Sequence, residues 1–219
     1  MSFFKPRKFL LTPFLLILAS CSPYPSRVGS DFKSQVGYAS WYGSDFHGRA
    51  TASGEVYDMH AMTAAHRILP FGTVVVVTNL ENNREIKVIV NDRGPFVRGR
   101  IIDLSYGAAK GIGMAEAGLA KVRIEPVGRD TGYIRHVKVS GDVEGPYVVQ
   151  IGSFIEKDNA KRLKEAVSWK YSGVYVTKAE ISGRTFFRVR LGSFKNRKKA
   201  IRLAETLADE GYEVAVMRE

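Results

Sequence analysis

Two different spacings of apolar residues divide the chain. Up to about residue 127 they come in short runs, at 36–42, 73–79 (TVVVVTN), 85–90 (EIKVIV), 101–104 and 121–125. Polar or Gly-containing segments bound these runs, and short Val- and Ile-rich runs between turn signals read as strands. The segment Leu80-Glu81-Asn82-Asn83-Arg84 then reads as a polar hairpin loop. One short helix is expected over 105–112, with Ser105 as its N-cap. Several short strands with so little helix predict a small β-barrel over residues 36–127.

From residue 146 the pattern changes and repeats itself. Tyr147-Val148-Val149-Gln150-Ile151-Gly152-Ser153-Phe154 returns forty residues later as Phe187-Arg188-Val189-Arg190-Leu191-Gly192-Ser193-Phe194. A helical period follows each copy. Ala160, Leu163 and Val167 fall on one face of 157–170, and Ala200, Leu203, Ala204 and Leu207 on one face of 196–210, which Gly211 ends. With strands at 174–179 and 213–217, residues 146–219 form a βαβ–βαβ, ferredoxin-like α+β domain. Both helices would cover one sheet face and leave the other open. Residues 128–145 read as a linker with an added strand near 134–139.

The first 35 residues belong to neither pattern. Lys5, Arg7 and Lys8 precede an apolar run over 9–18, the arrangement of a secretory leader. That run is too short to span a bilayer, which needs about 20 apolar residues. Leu18-Ala19-Ser20-Cys21 resembles a bacterial lipobox, which implies cleavage after residue 20 and lipidation of Cys21. Cys21 is the only cysteine, so no internal disulfide can form even in an oxidising compartment. Residues 21–35 read as a tether. Ser22 after the cysteine implies, by resemblance to enterobacterial sorting, the outer membrane facing the periplasm.

Charge narrows the partners. Losing Lys5, Arg7 and Lys8 with the leader lowers the formal +11 by three, to +8. A basic protein is drawn to acidic polymers, and export excludes nucleic acid in favour of anionic lipid or the carboxylate-rich wall.

Reactive side chains concentrate in the first domain. Asp92 follows an apolar strand in Asn91-Asp92-Arg93-Gly94-Pro95. Partial burial there would raise its pKa and suit it to acid–base work on a glycosidic bond. Each candidate also has a plainer reading: Asp92 as a turn cap, Asp103 as a structural carboxylate, Glu55 as a loop charge, His66 as a core residue. His47, His60 and His66 lack the spacing of metal ligands, so no metal and no cofactor is expected.

The blocks Gly37-Tyr38-Ala39-Ser40-Trp41-Tyr42-Gly43, Phe46-His47-Gly48-Arg49, Thr51-Ala52-Ser53-Gly54-Glu55, Thr63-Ala64-Ala65-His66, Leu69-Pro70-Phe71-Gly72-Thr73, Asn91-Asp92-Arg93-Gly94-Pro95-Phe96 and Ile102-Asp103-Leu104-Ser105 closely resemble the rare lipoprotein A family. The resemblance implies an all-β double-psi β-barrel, related in fold to expansins, followed by a sporulation-related repeat domain. It implies lytic transglycosylation of septal peptidoglycan strands poor in stem peptides. Asp92 would be the acid and then the base, Glu55 a second carboxylate, and His66 the group that orients one of them. Tyr42, Arg93 and Phe46 would line the sugar groove. In the second domain, Gln150, Ser153, Phe186 and Arg188 match glycan-binding positions, with Phe186 where relatives often carry Trp. A non-catalytic, expansin-like wall-binding lipoprotein is the alternative, and a scaffold recruiting division-site proteins is a third reading.

Overall fold

The computed structural model describes residues 34–140 and 145–219. The leader, Cys21 and nearly all of the tether lie outside the described residues.

The first domain is a closed six-stranded barrel in the order β1-β5-β2-β4-β3-β6. Its strands are β1 (Gln35–Tyr42), β2 (Thr63–His66), β3 (Thr73–Asn79), β4 (Glu85–Asp92), β5 (Arg100–Ser105) and β6 (Leu119–Arg129). β1 runs parallel to β5 and β2 parallel to β4, while the remaining pairs are antiparallel. Closure of β1 onto β6 leaves no open edge. Alternation along β3, β4 and β5 sends Val75, Val77, Val88, Val90, Ile102 and Leu104 into one fully buried core. α1 (Tyr106–Gly111) starts where the sequence places it, with the Ser105 hydroxyl accepting from the Ala108 N–H.

β2 is the strand that local pattern does not show. Thr63-Ala64-Ala65-His66 is short and half alanine, and its neighbours make it a strand: Ala65 lies opposite Asp92 on β4 and Asp103 on β5.

The sequence-read linker is largely built into the two domains. β6 extends to Arg129, a 3-10 turn covers Thr131–Tyr133, and β7 (Lys138–Val139) pairs in parallel with β11 (Ala215–Arg218). The second sheet has the order β7-β11-β8-β10-β9, with β8 (Tyr147–Phe154), β9 (Val174–Ile181) and β10 (Arg184–Phe194). The repeated segments are its central antiparallel pair, Phe187 facing Phe154 and Phe194 facing Tyr147. α2 (Lys157–Ser168) and α3 (Arg197–Asp209) bury Ala160, Leu163, Val167, Ala200, Ala204 and Leu207 against one sheet face. Asn196 caps α3 by accepting from the N–H groups of Lys198 and Lys199.

The two domains dock through the end of α3. Phe71 of the barrel is fully buried, its N–H donates to the Glu210 carbonyl at 2.9 Å, and its ring meets Tyr212 at 5.0 Å. Burying such a side chain contributes about 1.5–3 kcal/mol. Gly211 is required here: its φ is +96°, and a Cβ would stand 2.9 Å from Phe71 Cβ and from the Tyr133 carbonyl.

Candidate active site

A cavity of about 320 Å³ lies where the barrel meets the second domain. Tyr42, Phe46, Arg49, Ala52, Asp92 and Asp103 line it from the barrel, and Phe154, Asn159, Arg162, Leu163 and Ala166 from the second domain.

Asp92, the last residue of β4, occupies the cavity wall. Its Oδ1 accepts from the backbone N–H of Ala52 and of Arg93, each at 2.8 Å. Loss of solvation pushes the Asp92 pKa up, and the two amides with the charges of Arg93 and Arg162 reverse only part of this. Asp103 stands on β5, separated from Asp92 by β2, so their Cα atoms are roughly 10 Å apart at normal strand spacing. The Ser40 hydroxyl donates to Asp103 Oδ1 at 2.5 Å, and Arg100 Nε lies 3.7 Å from the same oxygen. Burial also pushes the Asp103 pKa up, against the pull of Ser40 and Arg100. Asp103 makes the contacts of a structural carboxylate and also lines the same cavity as Asp92. The signal was present in the strand: Ile102 and Leu104 are buried in the core, which sends Asp103 to the opposite face.

Glu55 does not reach this cavity. Its Oε2 accepts from Asn91 Nδ2 at 2.8 Å, and it also meets the Tyr133 hydroxyl. Its loop nevertheless serves Asp92, because Ala52 on that loop supplies one of the two amides. His66 is 3% exposed and also lies outside the cavity lining. Its Nδ1 accepts from the N–H groups of Ile68 and Leu69, which assigns the proton of the neutral ring to Nε2. Burial, helped by the charges of Arg93 and Arg67, lowers its pKa to about 3.

Tyr42 and Phe46 both line the cavity. The Tyr42 ring packs against Tyr57 at 4.3 Å and edge-on to Phe46 at 6.1 Å, with Arg49 over Phe46. Tyr57, missed in the sequence, anchors this group by donating its hydroxyl to the Tyr42 carbonyl. Desolvation raises the pKa of Tyr42 and pushes that of Tyr57 up to about 12, so both stay neutral donors. Arg93 corrects the sequence expectation. Its backbone borders the cavity, but its side chain is buried in the domain interface: Nε donates to the Tyr212 hydroxyl and Nη1 to the Leu69 carbonyl.

On the second domain, register places Ser153 opposite Arg188 and Gln150 opposite Arg190, on the sheet face away from both helices. Phe186 shares that face by alternation, while Phe187 packs into the core. Gln150 Oε1 and Arg190 Nε are buried there without a hydrogen-bond partner. Among the described residues no group of three or more His, Cys, Asp or Glu could hold a metal ion.

The model of the family described as "Lytic transglycolase" matches residues 34–124, and that of the SPOR domain matches residues 143–218. The endolytic peptidoglycan transglycosylase RlpA of Vibrio cholerae is 39% identical over 185 residues, which cover 84% of this chain and 69% of that protein. The chain belongs to the RlpA family. Its fold is a double-psi β-barrel followed by a SPOR domain. The Campylobacter jejuni RlpA is 48% identical over 134 residues, 54% of this chain and 49% of that one. This chain therefore spans about half to two thirds of the length of these two RlpA relatives. Among solved structures, the SPOR domain of Pseudomonas aeruginosa RlpA matches all of its own length and 34% of this chain, with 26% identity and a TM-score of 0.29.

Proposed function

We propose that this chain is a lytic transglycosylase that cuts the MurNAc–GlcNAc bond of peptidoglycan strands poor in stem peptides. The observation that carries the reading is the state of Asp92: a carboxyl whose pKa is raised by burial, fixed through Oδ1 by two amides, in the wall of a cavity edged by aromatics. A carboxyl whose pKa is raised keeps its proton to higher pH than an exposed one and can deliver it to the glycosidic oxygen. The bond from C1 to that oxygen breaks, and the muramyl C6 hydroxyl attacks C1. Its proton passes to the Asp92 carboxylate, giving a 1,6-anhydro end without consuming water. Asp103 is the second carboxylate of the cavity and stabilises positive charge on the ring. Glu55 and His66 position: one holds Asn91 and the loop of Ala52, the other holds the backbone of residues 66–69. Tyr42 and Phe46 bind sugar.

The open sheet face, with Gln150, Ser153, Phe186 and Arg188, binds a second stretch of glycan, Phe186 stacking on a ring. Lipidation at Cys21 anchors the chain in the outer membrane facing the periplasm, and glycan recognition enriches it at the septum, beside the division-site proteins.

The test is mass analysis of products released from stripped glycan and from intact sacculi by residues 22–219. Anhydro-ended products lost in Asp92→Asn are expected. Reducing ends would make it a hydrolase. No product, with pelleting on stripped glycan retained, would leave the expansin-like binding protein.

A further inference from the structure

The barrel does not build the cavity alone. Residues of α2 close one side of it, and the docking that holds α2 there is made of directed bonds. Besides the contacts of Phe71, Arg93 Nε donates to Tyr212 at 2.6 Å, the Arg135 N–H donates to the Ala208 carbonyl at 2.9 Å, and Arg129 reaches both the Phe71 and the Asp209 carbonyls. At the rim, Phe96 of the barrel stacks on Trp169 just beyond α2, with Arg67 over the Trp169 ring. A domain fixed at both ends of a shared wall belongs to the cavity's structure.

That wall carries a cation. Arg162 lies on the exposed side of α2, lines the cavity and hydrogen-bonds Asn159, which lines it too. Of the other cavity-lining arginines, Arg100 is paired with Asp103, Arg93 is turned into the interface, and Arg49 lies over the Phe46 ring on the opposite, barrel side. Arg162 has no acidic partner among the described residues, and its charge is felt at Asp92.

We propose that α2 is a specificity element of the active site, and that Arg162 recognises the free carboxylate of a muramyl residue lacking its stem peptide. The proposal rests on the transglycosylase reading. The muramyl lactyl group ends in a carboxylate when no peptide is attached and in a neutral amide when one is. It sits on the same sugar whose C1 is attacked, so it must lie beside the acid that cuts the bond. A guanidinium matches a carboxylate in two-point geometry and gains far less from an amide. A peptide there would also have to pass the Leu163 and Ala166 side of the wall. Preference for stripped glycan is then exerted at the cut itself, separately from the open sheet face.

The test compares wild type, Arg162→Ala and Arg162→Lys in residues 22–219, on stripped glycan with free muramyl carboxylates and on the same glycan converted to methylamides. Wild type is expected to cleave the free acid about tenfold faster or more, the scale of a charge-assisted hydrogen bond. Arg162→Ala is expected to lose that preference, cleaving the two substrates at similar rates, and Arg162→Lys to keep part of it. A preference that survives in Arg162→Ala overturns the proposal. If wild type cleaves neither substrate, the transglycosylase reading fails, and binding of a stripped tetrasaccharide decides the inference. That binding is measured in an Arg188→Ala background to weaken the open face. A loss of about tenfold on adding Arg162→Ala, seen only with free carboxylates, supports recognition by the wall, and equal affinities refute it.

Discussion

Arg93 follows Asp92 in the chain, yet its guanidinium is committed to Tyr212, 119 residues away, at 2.6 Å from Nε to the hydroxyl. The guanidinium carbon also lies 3.7 Å from the centre of the Phe71 ring. Its backbone N–H, meanwhile, holds the Asp92 carboxylate. One residue thus joins the acid of the site to the docking of the second domain.

Tyr212→Phe removes the acceptor and leaves a buried charged donor unpaired, which costs about 1–3 kcal/mol. Its melting temperature should fall by several degrees, and limited proteolysis near residues 134–146 should quicken. An unchanged melting temperature and digestion rate would mean the bond does not hold the domains together.

Asp92→Asn keeps an oxygen for the two amides and removes the proton donor. Product release should fall by about a hundredfold or more. The folded Asp92 pKa is raised, so its contribution to stability is present below the ordinary carboxylate range and lost as pH rises through the folded value. At pH 7 the uncharged variant should therefore melt at or above wild type. A lower melting temperature would show that the carboxylate is structural.

Asp103→Asn should lower the turnover rate by about tenfold to a hundredfold with little change in KM, because it acts on charge that develops during bond breaking. Wild-type kinetics would remove Asp103 from the reaction.

Glu55 separates a positioning role from a chemical one. In Glu55→Gln the side-chain oxygen still accepts from Asn91, whereas Glu55→Ala releases it. Turnover should fall about tenfold or more in the alanine variant and be largely retained in the glutamine variant. Equal loss in both would mean that the charge of Glu55 takes part directly.

His66 makes the fold sensitive to acid. Its folded pKa of about 3 is depressed below the ordinary histidine value, so its stabilisation is complete above about pH 6.5 and is lost as pH falls toward 3. His66→Asn offers an oxygen to the same amides and cannot be protonated. Relative to wild type, it should gain about 2 kcal/mol in denaturant unfolding between pH 7.5 and pH 4.5. Parallel pH profiles would show that His66 is not buried neutral.

Elements whose stability is local were legible in the sequence. β3 occupies residues 73–79 as read, because Val-rich alternation between turn signals has one sensible packing. Ser105 caps α1, and the Gly-Ser-Phe repeat became a central strand pair, because caps and short repeats act over a few residues. β2 was legible only as a motif. Two alanines carry little strand preference, and the ladders to β4 and β5 supply what the side chains do not.

By itself the sequence determined the order of the parts, the two periodicities, the repeat and the candidate acid, since each of these is written in neighbouring residues. Only the tertiary structure decided which acids meet. It brought Asp103 beside Asp92 and held Glu55 away on Asn91. It turned Arg93 from the groove into the interface and set Arg162 of the second domain in the groove wall. These outcomes depend on strand order, on the face each strand presents and on how two domains dock. Such contacts link residues scores of positions apart, and no local pattern of hydrophobic and polar residues encodes them.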